Sequence, residues 1–119
     1  MLKKSSSSVR IYYPKLRREE LVLLLREKAK DLSRELPIEL VTLFGSYASD
    51  RYTAASDIDV LAVIRGGHKD EAYQKIHEGL HIQNLQLHLY TREEYEKLKR
   101  NSPSFVREVE GKSILVFKA

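Results

Sequence analysis

Two short apolar segments constrain the fold of this chain more than any other feature. IELVTLF, at residues 38–44, and DIDVLAVI, at residues 57–64, are rich in β-branched side chains, and a glycine stops each of them. Segments of this length and composition, bounded by turn residues, are typical of β-strands. The chain is therefore predicted to build a sheet that contains this pair of strands.

The neighbouring segments predict two helices and a third strand. KLRREELVLLLREKAKDLSREL, at residues 15–36, carries leucines at spacings of three, four and seven residues, which places them on one helix face. Pro37 is expected to end this helix, because the residue before a proline avoids the helical conformation. KDEAYQKIHEGL, at residues 69–80, predicts a short amphipathic helix, and NLQLHLY, at residues 84–90, alternates apolar and polar residues as a strand does.

The end of the chain predicts two more helices and a closing strand. Thr91 and Glu94 have the spacing of a capping box that begins the helix REEYEKLKR. Ser102 and Pro103 are expected to open another short helix, and SILVFK to form the last strand. This order of elements indicates an α+β domain, with helices on one face of a small mixed β-sheet.

Length and composition restrict the class of protein. The 119 residues fit one domain over residues 15–119, behind a flexible, basic, serine-rich tail over residues 1–14. The absence of cysteine excludes disulfides, thiolate zinc sites and cysteine nucleophiles. No apolar run approaches the roughly 20 residues that span a membrane, and the N-terminus lacks the apolar segment of a secretory signal. A cytoplasmic protein is expected.

The net charge of +4 arises near the N-terminus, because residues 1–37 hold ten Lys and Arg against five Asp and Glu. A basic arm of this kind can bind nucleic acid, and contact with RNA is one hypothesis for the tail. The alternative is a solvated tail that only aids solubility.

Gly45, Ser46, Asp57 and Asp59 form the main candidate site. Gly45 has no Cβ, so its backbone can approach a ligand closely, and Ser46 opens a predicted short helix, SYASD, whose free N–H groups suit phosphate. Asp57 and Asp59 share a sheet face, where their mutual repulsion calls for a cation. Two Mg²⁺ ions there could hold a nucleoside triphosphate for in-line displacement. The alternative is an ordinary turn followed by two hydrated aspartates.

Gly45-Ser46, ten further residues and then Asp57-Ile58-Asp59 resemble the Gly-Ser-x10-Asp-x-Asp signature of the minimal nucleotidyltransferases (MNT) of the DNA polymerase β superfamily. The resemblance covers the chain from about residue 16 onwards. It implies a nucleotidyltransferase (polymerase β-like) fold and transfer of NMP, such as AMP from ATP, with two Mg²⁺ ions or Mn²⁺ in their place. It also implies that Gly45 and Ser46 bind the triphosphate and that Asp57 and Asp59 bind the metal ions.

The same resemblance implies a protein partner. Many members of this family pair, as antitoxins, with a helical HEPN-domain RNase toxin, and some add AMP to a tyrosine of that toxin. A chain of this size is expected to need such a partner to supply the acceptor hydroxyl.

One position departs from the family pattern. The family's third carboxylate lies on the next core strand, where this chain has Gln86. The neutral amide oxygen of Gln86 could coordinate a metal weakly but could not take a proton. His88, on the same strand face, could accept one, or it could be a polar side chain on an exposed surface. The alternative to an active enzyme is therefore a catalytically weakened or inactive antitoxin-type binding module that neutralises its partner by contact.

Two smaller motifs complete the set of candidates. Tyr47 and Arg51 lie in the loop after the first strand, where the tyrosine could stack on a base and the arginine could reach a phosphate. HEGLH, at residues 77–81, fits the H-E-x-x-H pattern of zinc proteases, which requires an uninterrupted helix. Gly79 and the expected end of the helix argue against a zinc site there.

Overall fold

The computed structural model of the chain describes residues 17–49, 51–53 and 56–119, and the predicted tail over residues 1–14 lies outside them. The described elements follow the predicted order. In chain order they are α1 (Arg18–Leu32), β1 (Ile38–Phe44), β2 (Ile58–Ile64), α2 (Lys69–Leu80), β3 (Leu85–Thr91), α3 (Arg92–Asn101), α4 (Pro103–Gly111) and β4 (Ile114–Lys118). None of these helices is long and apolar enough to cross a membrane.

The four strands form one mixed sheet in the order β3-β2-β1-β4. Strand β1 runs antiparallel to both β2 and β4, whereas β2 and β3 are parallel. Helix α2 connects the parallel pair, as a crossover between parallel strands requires. The predicted α+β class with a small mixed sheet is therefore confirmed.

Helices α1 and α2 cover one face of the sheet and form the main hydrophobic core. Alternate residues of β2 point into this core, together with the leucines of β3. The largest side chains of this core that are almost wholly buried are Leu21, Leu25, Ile38, Leu43, Ile64, Ile76 and Leu80. Burying each such side chain contributes about 1.5–3 kcal/mol, so this face holds most of the stability of the fold.

The prediction of helices on one face is incomplete, because α3 and α4 cover part of the opposite face. Leu61 and Val63 of β2 point away from the main core and pack there in a second cluster. The other buried members of that cluster are Tyr95, Val106 and Val109. The reason is visible in DIDVLAVI, whose nearly continuous apolar run needs cover on both faces of the sheet.

Helix α1 ends earlier than predicted, at Leu32 rather than before Pro37. Turn hydrogen bonds follow it, such as the one from the N–H of Leu36 to the carbonyl of Leu32 at 3.0 Å. The side chains of Leu32 and Leu36 still pack against the main core. The leucine spacing thus identifies which residues pack against the core, but the last of these residues, Leu36, lies beyond the end of the helix.

The HEGLH segment is a helix end and a packing contact. Helix α2 stops at Leu80, and His81 has the left-handed φ of 50°. A Cβ added to Gly79 would lie 2.7 Å from Cδ2 of Leu32, so Gly79 allows α1 and α2 to approach closely. The two histidines therefore do not share an uninterrupted helix, which the zinc motif requires.

Candidate active site

Three neighbouring strands bring the candidate site residues to one end of the sheet. Asp59 on β2 lies opposite Phe44, the last residue of β1, and beside Gln86 on β3. His88 lies two residues further along β3, where it is paired with Leu61. Because side chains alternate between the two faces, Asp59, Gln86 and His88 share the face that α3 and α4 cover only in part. Asp57, two residues before Asp59, is predicted to point the same way.

This end of the second face is accessible, so the two aspartates are more exposed than the residues further along β2. The side chain of Asp59 is 28% exposed, and Asp57 is exposed. Further along the strand, Leu61 and Val63 are buried under α3 and α4. A ligand can therefore reach the carboxylates from the side of the sheet that the helices leave uncovered.

Gly45 and Asp59, fourteen positions apart in the chain, are in direct contact in the fold. Gly45 has a φ of +79°, which disfavours side chains. A Cβ built at this position would lie 2.5 Å from Oδ2 of Asp59, closer than atoms can pack. Only glycine fits here without a shift. The backbone after β1 and the carboxylate on β2 are therefore two walls of one site.

The short helix predicted after Gly45 is wrong, because the structure has a hydrogen-bonded turn there. The N–H of Ser49 donates to the carbonyl of Gly45 at 3.2 Å, and that of Arg51 donates to the carbonyl of Ser46 at 3.0 Å. Among the residues that the structure describes, none accepts a hydrogen bond from the N–H groups of residues 46–48. Like the start of a helix, the turn therefore presents several adjacent backbone N–H groups without acceptors in the part of the chain that is described, and such groups can bind an anion.

Tyr47 does not present its ring to a ligand, so the predicted stacking on a base is wrong. Its side chain is buried in the main core, with 3% exposure. The ring stacks on Tyr52, with centroids 4.1 Å apart and planes 10° apart. Burial, and then the neighbouring Tyr52, raise the pKa of Tyr47 above its usual value. Arg51 is exposed, and its contact with a phosphate stays a prediction.

His88 faces Asp59 rather than the open surface. Its Nε2 atom lies 3.5 Å from Oδ1 of Asp59, but the geometry is not that of a hydrogen bond. That nitrogen is buried and has no hydrogen-bond partner among the described residues. The ring packs on Phe44 with centroids 5.2 Å apart. The His88 side chain as a whole is 37% exposed, so its role as a proton acceptor and the alternative of a polar surface side chain both stay predictions.

The residues at this end of the sheet fit a magnesium site. Mg²⁺ prefers oxygen ligands, often one or two carboxylates completed by water and phosphate. Asp57 and Asp59 supply carboxylates, and exposed Gln86 offers an amide oxygen on the strand beside them. In the described part of the chain no three His, Cys, Asp or Glu side chains cluster as a metal site.

Two residues that sequence reasoning missed hold the loop in place. The N–H of Arg18, the first residue of α1, donates to the hydroxyl of Tyr52 at 3.2 Å. Its guanidinium donates through Nη1 to the carbonyl of Ala48 at 3.1 Å. Arg18 lies 30 residues before Ala48 in the chain. No local spacing signals such a contact, so only the fold reveals it.

Comparisons with known proteins agree with this geometry. Residues 25–116 match the family model described as "Nucleotidyltransferase domain", which is well over half of the chain. Among curated protein sequences, none gives a significant match.

Several solved structures share the fold. A protein from Sulfolobus solfataricus assigned as a nucleotidyltransferase has a TM-score of 0.59 at 20% identity, over 92% of this chain and 90% of that chain. A toxin–antitoxin structure with AMP-PNP has a TM-score of 0.52 at 21% identity, over 79% and 73%. A variant of the toxin–antitoxin complex MntA-HpeT has a TM-score of 0.50 at 19% identity, over the same shares. Identities this low establish a common fold.

Proposed function

This chain belongs to the nucleotidyltransferase domain family, and we propose that it transfers AMP from ATP to a hydroxyl group on a protein partner. One observation carries the proposal, namely the contact between Gly45 and Asp59. There the backbone that would bind phosphate abuts the carboxylate that would bind metal, at the separation where a Cβ would collide with Oδ2. An ordinary turn followed by hydrated aspartates does not require this approach.

The residues have separate roles in the proposed reaction. The free N–H groups of residues 46–48 bind phosphate oxygens, and Arg51 adds a positive charge beside them. Asp57, Asp59 and the amide oxygen of Gln86 would hold two Mg²⁺ ions, or Mn²⁺ in their place. When bound, such ions neutralise charge on the phosphates and orient them for in-line attack.

The bonds that form and break follow from the substrate. The oxygen of the acceptor hydroxyl forms a bond to the α-phosphorus of ATP, and the bond between that phosphorus and the bridging oxygen breaks. Pyrophosphate leaves, and the hydroxyl proton passes to water, because Gln86 cannot accept it. We assign His88 to orienting Asp59, since its Nε2 faces that carboxylate and not the surface. Turnover is expected to be slow, because a positioned base accelerates such steps about 100-fold or more.

The partner is proposed from the resemblance and from structural relatives. Relatives of the same fold occur in toxin–antitoxin structures, one of them with AMP-PNP, which supports ATP as the nucleotide. We propose a helical HEPN-type protein in the cytoplasm as the partner, with a tyrosine as the acceptor. On α1, Leu23 is 64% exposed and could contact such a protein.

The presence of Gln86 in place of a carboxylate favours a second candidate function, that of a binding module. Without a third carboxylate, the protein could neutralise its partner by binding it, with no transfer of AMP. This module would keep the fold and the partner surface and would have no need of ATP.

Labelled ATP separates the two functions. The protein is incubated with Mg²⁺, ATP labelled on its α-phosphate and the protein encoded by the neighbouring gene. The enzyme predicts label on the partner, lost on Asp57→Ala with Asp59→Ala and retained on Asp70→Ala, an exposed carboxylate on α2. A tight complex that carries no label would support the binding module instead.

A further inference from the structure

The turn that offers its amides to phosphate has little internal support. It lies outside the sheet ladder, and the two backbone hydrogen bonds that close it measure 3.2 and 3.0 Å. The only described side chain that bonds within it is Ser49, whose hydroxyl lies 3.2 Å from the carbonyl of Ser46. Something else in the fold must hold residues 46–48 in a single conformation.

Arg18 contacts the loop after β1 at two points, Ala48 and Tyr52. The N–H of Arg18 is one of the first-turn amides that have no acceptor inside a helix, and the hydroxyl of Tyr52 accepts from it. The guanidinium reaches the carbonyl of Ala48. This side chain is 28% exposed, so the bond to Ala48 is partly shielded from water. The start of α1 thereby holds both Ala48 and Tyr52.

Tyr52 connects this arrangement to the core. Its ring lies against the buried ring of Tyr47, with centroids 4.1 Å apart. Tyr47 is the middle residue of the three whose amides are free, so its backbone position follows from where its ring is buried. Helix α1, the turn and the main core therefore form one connected unit that passes through Tyr52.

We infer that Arg18 and Tyr52 are positioning residues that hold the backbone of residues 46–48 ready for the triphosphate. The inference rests on the proposed function and names residues that touch no nucleotide. A preorganised turn binds phosphate without a free-energy cost for ordering its backbone. When one anchor is lost, the turn must be ordered on binding, and that cost weakens the affinity for phosphate. The effect is expected for the phosphates alone, because Asp59 lies on β2 and Asp57 lies just before that strand, both outside the turn.

The test compares phosphate ligands, which bind the turn after β1, with a metal ion, which binds the carboxylates. Tyr52→Phe removes the hydroxyl and keeps the stacked ring, Arg18→Ala removes the guanidinium, and Arg18→Lys restores one donor. Calorimetry measures the affinity for Mg²⁺-ATP and for inorganic tripolyphosphate, and spin resonance measures the affinity for Mn²⁺ alone. Tyr73→Phe and Arg34→Ala, at residues exposed elsewhere, are the matched controls.

We expect Tyr52→Phe and Arg18→Ala to weaken ATP and tripolyphosphate equally, by about 3- to 10-fold, the equivalent of one hydrogen bond. Mn²⁺ affinity and the unfolding temperature should stay near those of the controls, and Arg18→Lys should recover part of the loss. Variants that bind both phosphate ligands as the native chain does would overturn the inference and leave the proposed function standing. So would a parallel loss of Mn²⁺ affinity and thermal stability. A native chain that binds neither phosphate ligand would overturn both.

Discussion

At the scale of single residues, Gly45 joins the two walls of the candidate site, and its replacement gives the first prediction. In Gly45→Ala the new methyl group would collide with Oδ2 of Asp59 at 2.5 Å, on a backbone with a φ of +79°. We expect the variant to lose about 1–2 kcal/mol of stability from the backbone conformation. We also expect Mn²⁺ affinity to fall at least about tenfold as the carboxylate is displaced, which spin resonance would detect.

Gly67→Ala separates these two effects. Gly67 has a φ of +97°, but nothing lies within 4 Å of a Cβ built there. This control should lose similar stability in denaturant unfolding and keep its full affinity for Mn²⁺. Equal Mn²⁺ affinity in the two variants would mean that the contact between Gly45 and Asp59 has no role in metal binding.

A second residue-scale prediction concerns the missing carboxylate. Gln86→Asp places an acidic side chain on β3 beside Asp59. Because a positioned base contributes about 100-fold or more, we expect AMP transfer to the partner to accelerate by about tenfold or more. Gln83→Asp makes the same change of charge at an exposed position before β3. Equal rates in the two variants would show that position 86 does not take part in the reaction.

The sequence was informative about these residues only where a local pattern existed. The spacing from Gly45 to Asp59 is a linear signature, so both residues could be found without a structure. The burial of Tyr47 could not be predicted, because the tertiary packing decides whether a loop tyrosine points outward or into the core. In the structure only 3% of Tyr47 is exposed. Arg18 carries no local signal, since its partners lie 30 and 34 residues away.

At the scale of secondary-structure elements, the start of α3 makes a prediction about pH. The hydroxyl of Thr91 accepts from the N–H of Glu94 at 3.1 Å, and the carboxylate of Glu94 accepts from the N–H of Thr91 at 3.0 Å. Lys69 lies 2.9 Å from the same carboxylate. The hydrogen bond from Thr91, and then Lys69, lower the pKa of Glu94 below 4.5.

A lowered pKa means that the folded state favours the ionised carboxylate. The contribution of Glu94 to stability is therefore complete above pH 4.5 and disappears as the pH falls through its folded pKa. Glu94→Gln keeps the capping geometry but loses the charge. We expect its unfolding temperature to lie below that of the native chain at pH 7 and to converge with it as the pH falls through the folded pKa of Glu94, as thermal scans would show. A constant gap across this range would contradict the assignment.

The elements themselves were largely predictable. IELVTLF and KDEAYQKIHEGL gave a strand and a helix with the bounds that the structure has, because glycine, proline and hydrophobic period agree there. The end of α1 was missed, since leucines that pack on a core from a turn look like a continued helix. The turn after β1 was taken for the start of a short helix, but its backbone hydrogen bonds, from Ser49 to Gly45 and from Arg51 to Ser46, close a turn.

At the scale of the whole molecule, both faces of the sheet carry buried clusters, and the candidate site lies at one end of the second face. Helices α1 and α2 cover one face completely enough to hold the main core, whereas α3 and α4 leave the end with the carboxylates uncovered. That helices cover both faces of the sheet was not predicted. The hydrophobic period of a segment shows which of its residues are apolar, but it does not show which element packs against them. The tail over residues 1–14 and its contact with RNA stay predictions.

The claim on which the account depends is that the phosphate turn and the two aspartates are one magnesium-dependent site. Calorimetric titration of ATP at millimolar Mg²⁺ tests it most directly, with Asp57→Asn and Asp59→Asn combined and with Asp70→Asn as the matched control. The account predicts ATP binding that requires Mg²⁺, is about tenfold or more weaker in the double variant and is unchanged in the control. ATP binding equal in the native chain and the double variant, or no binding with or without the partner protein, would contradict it.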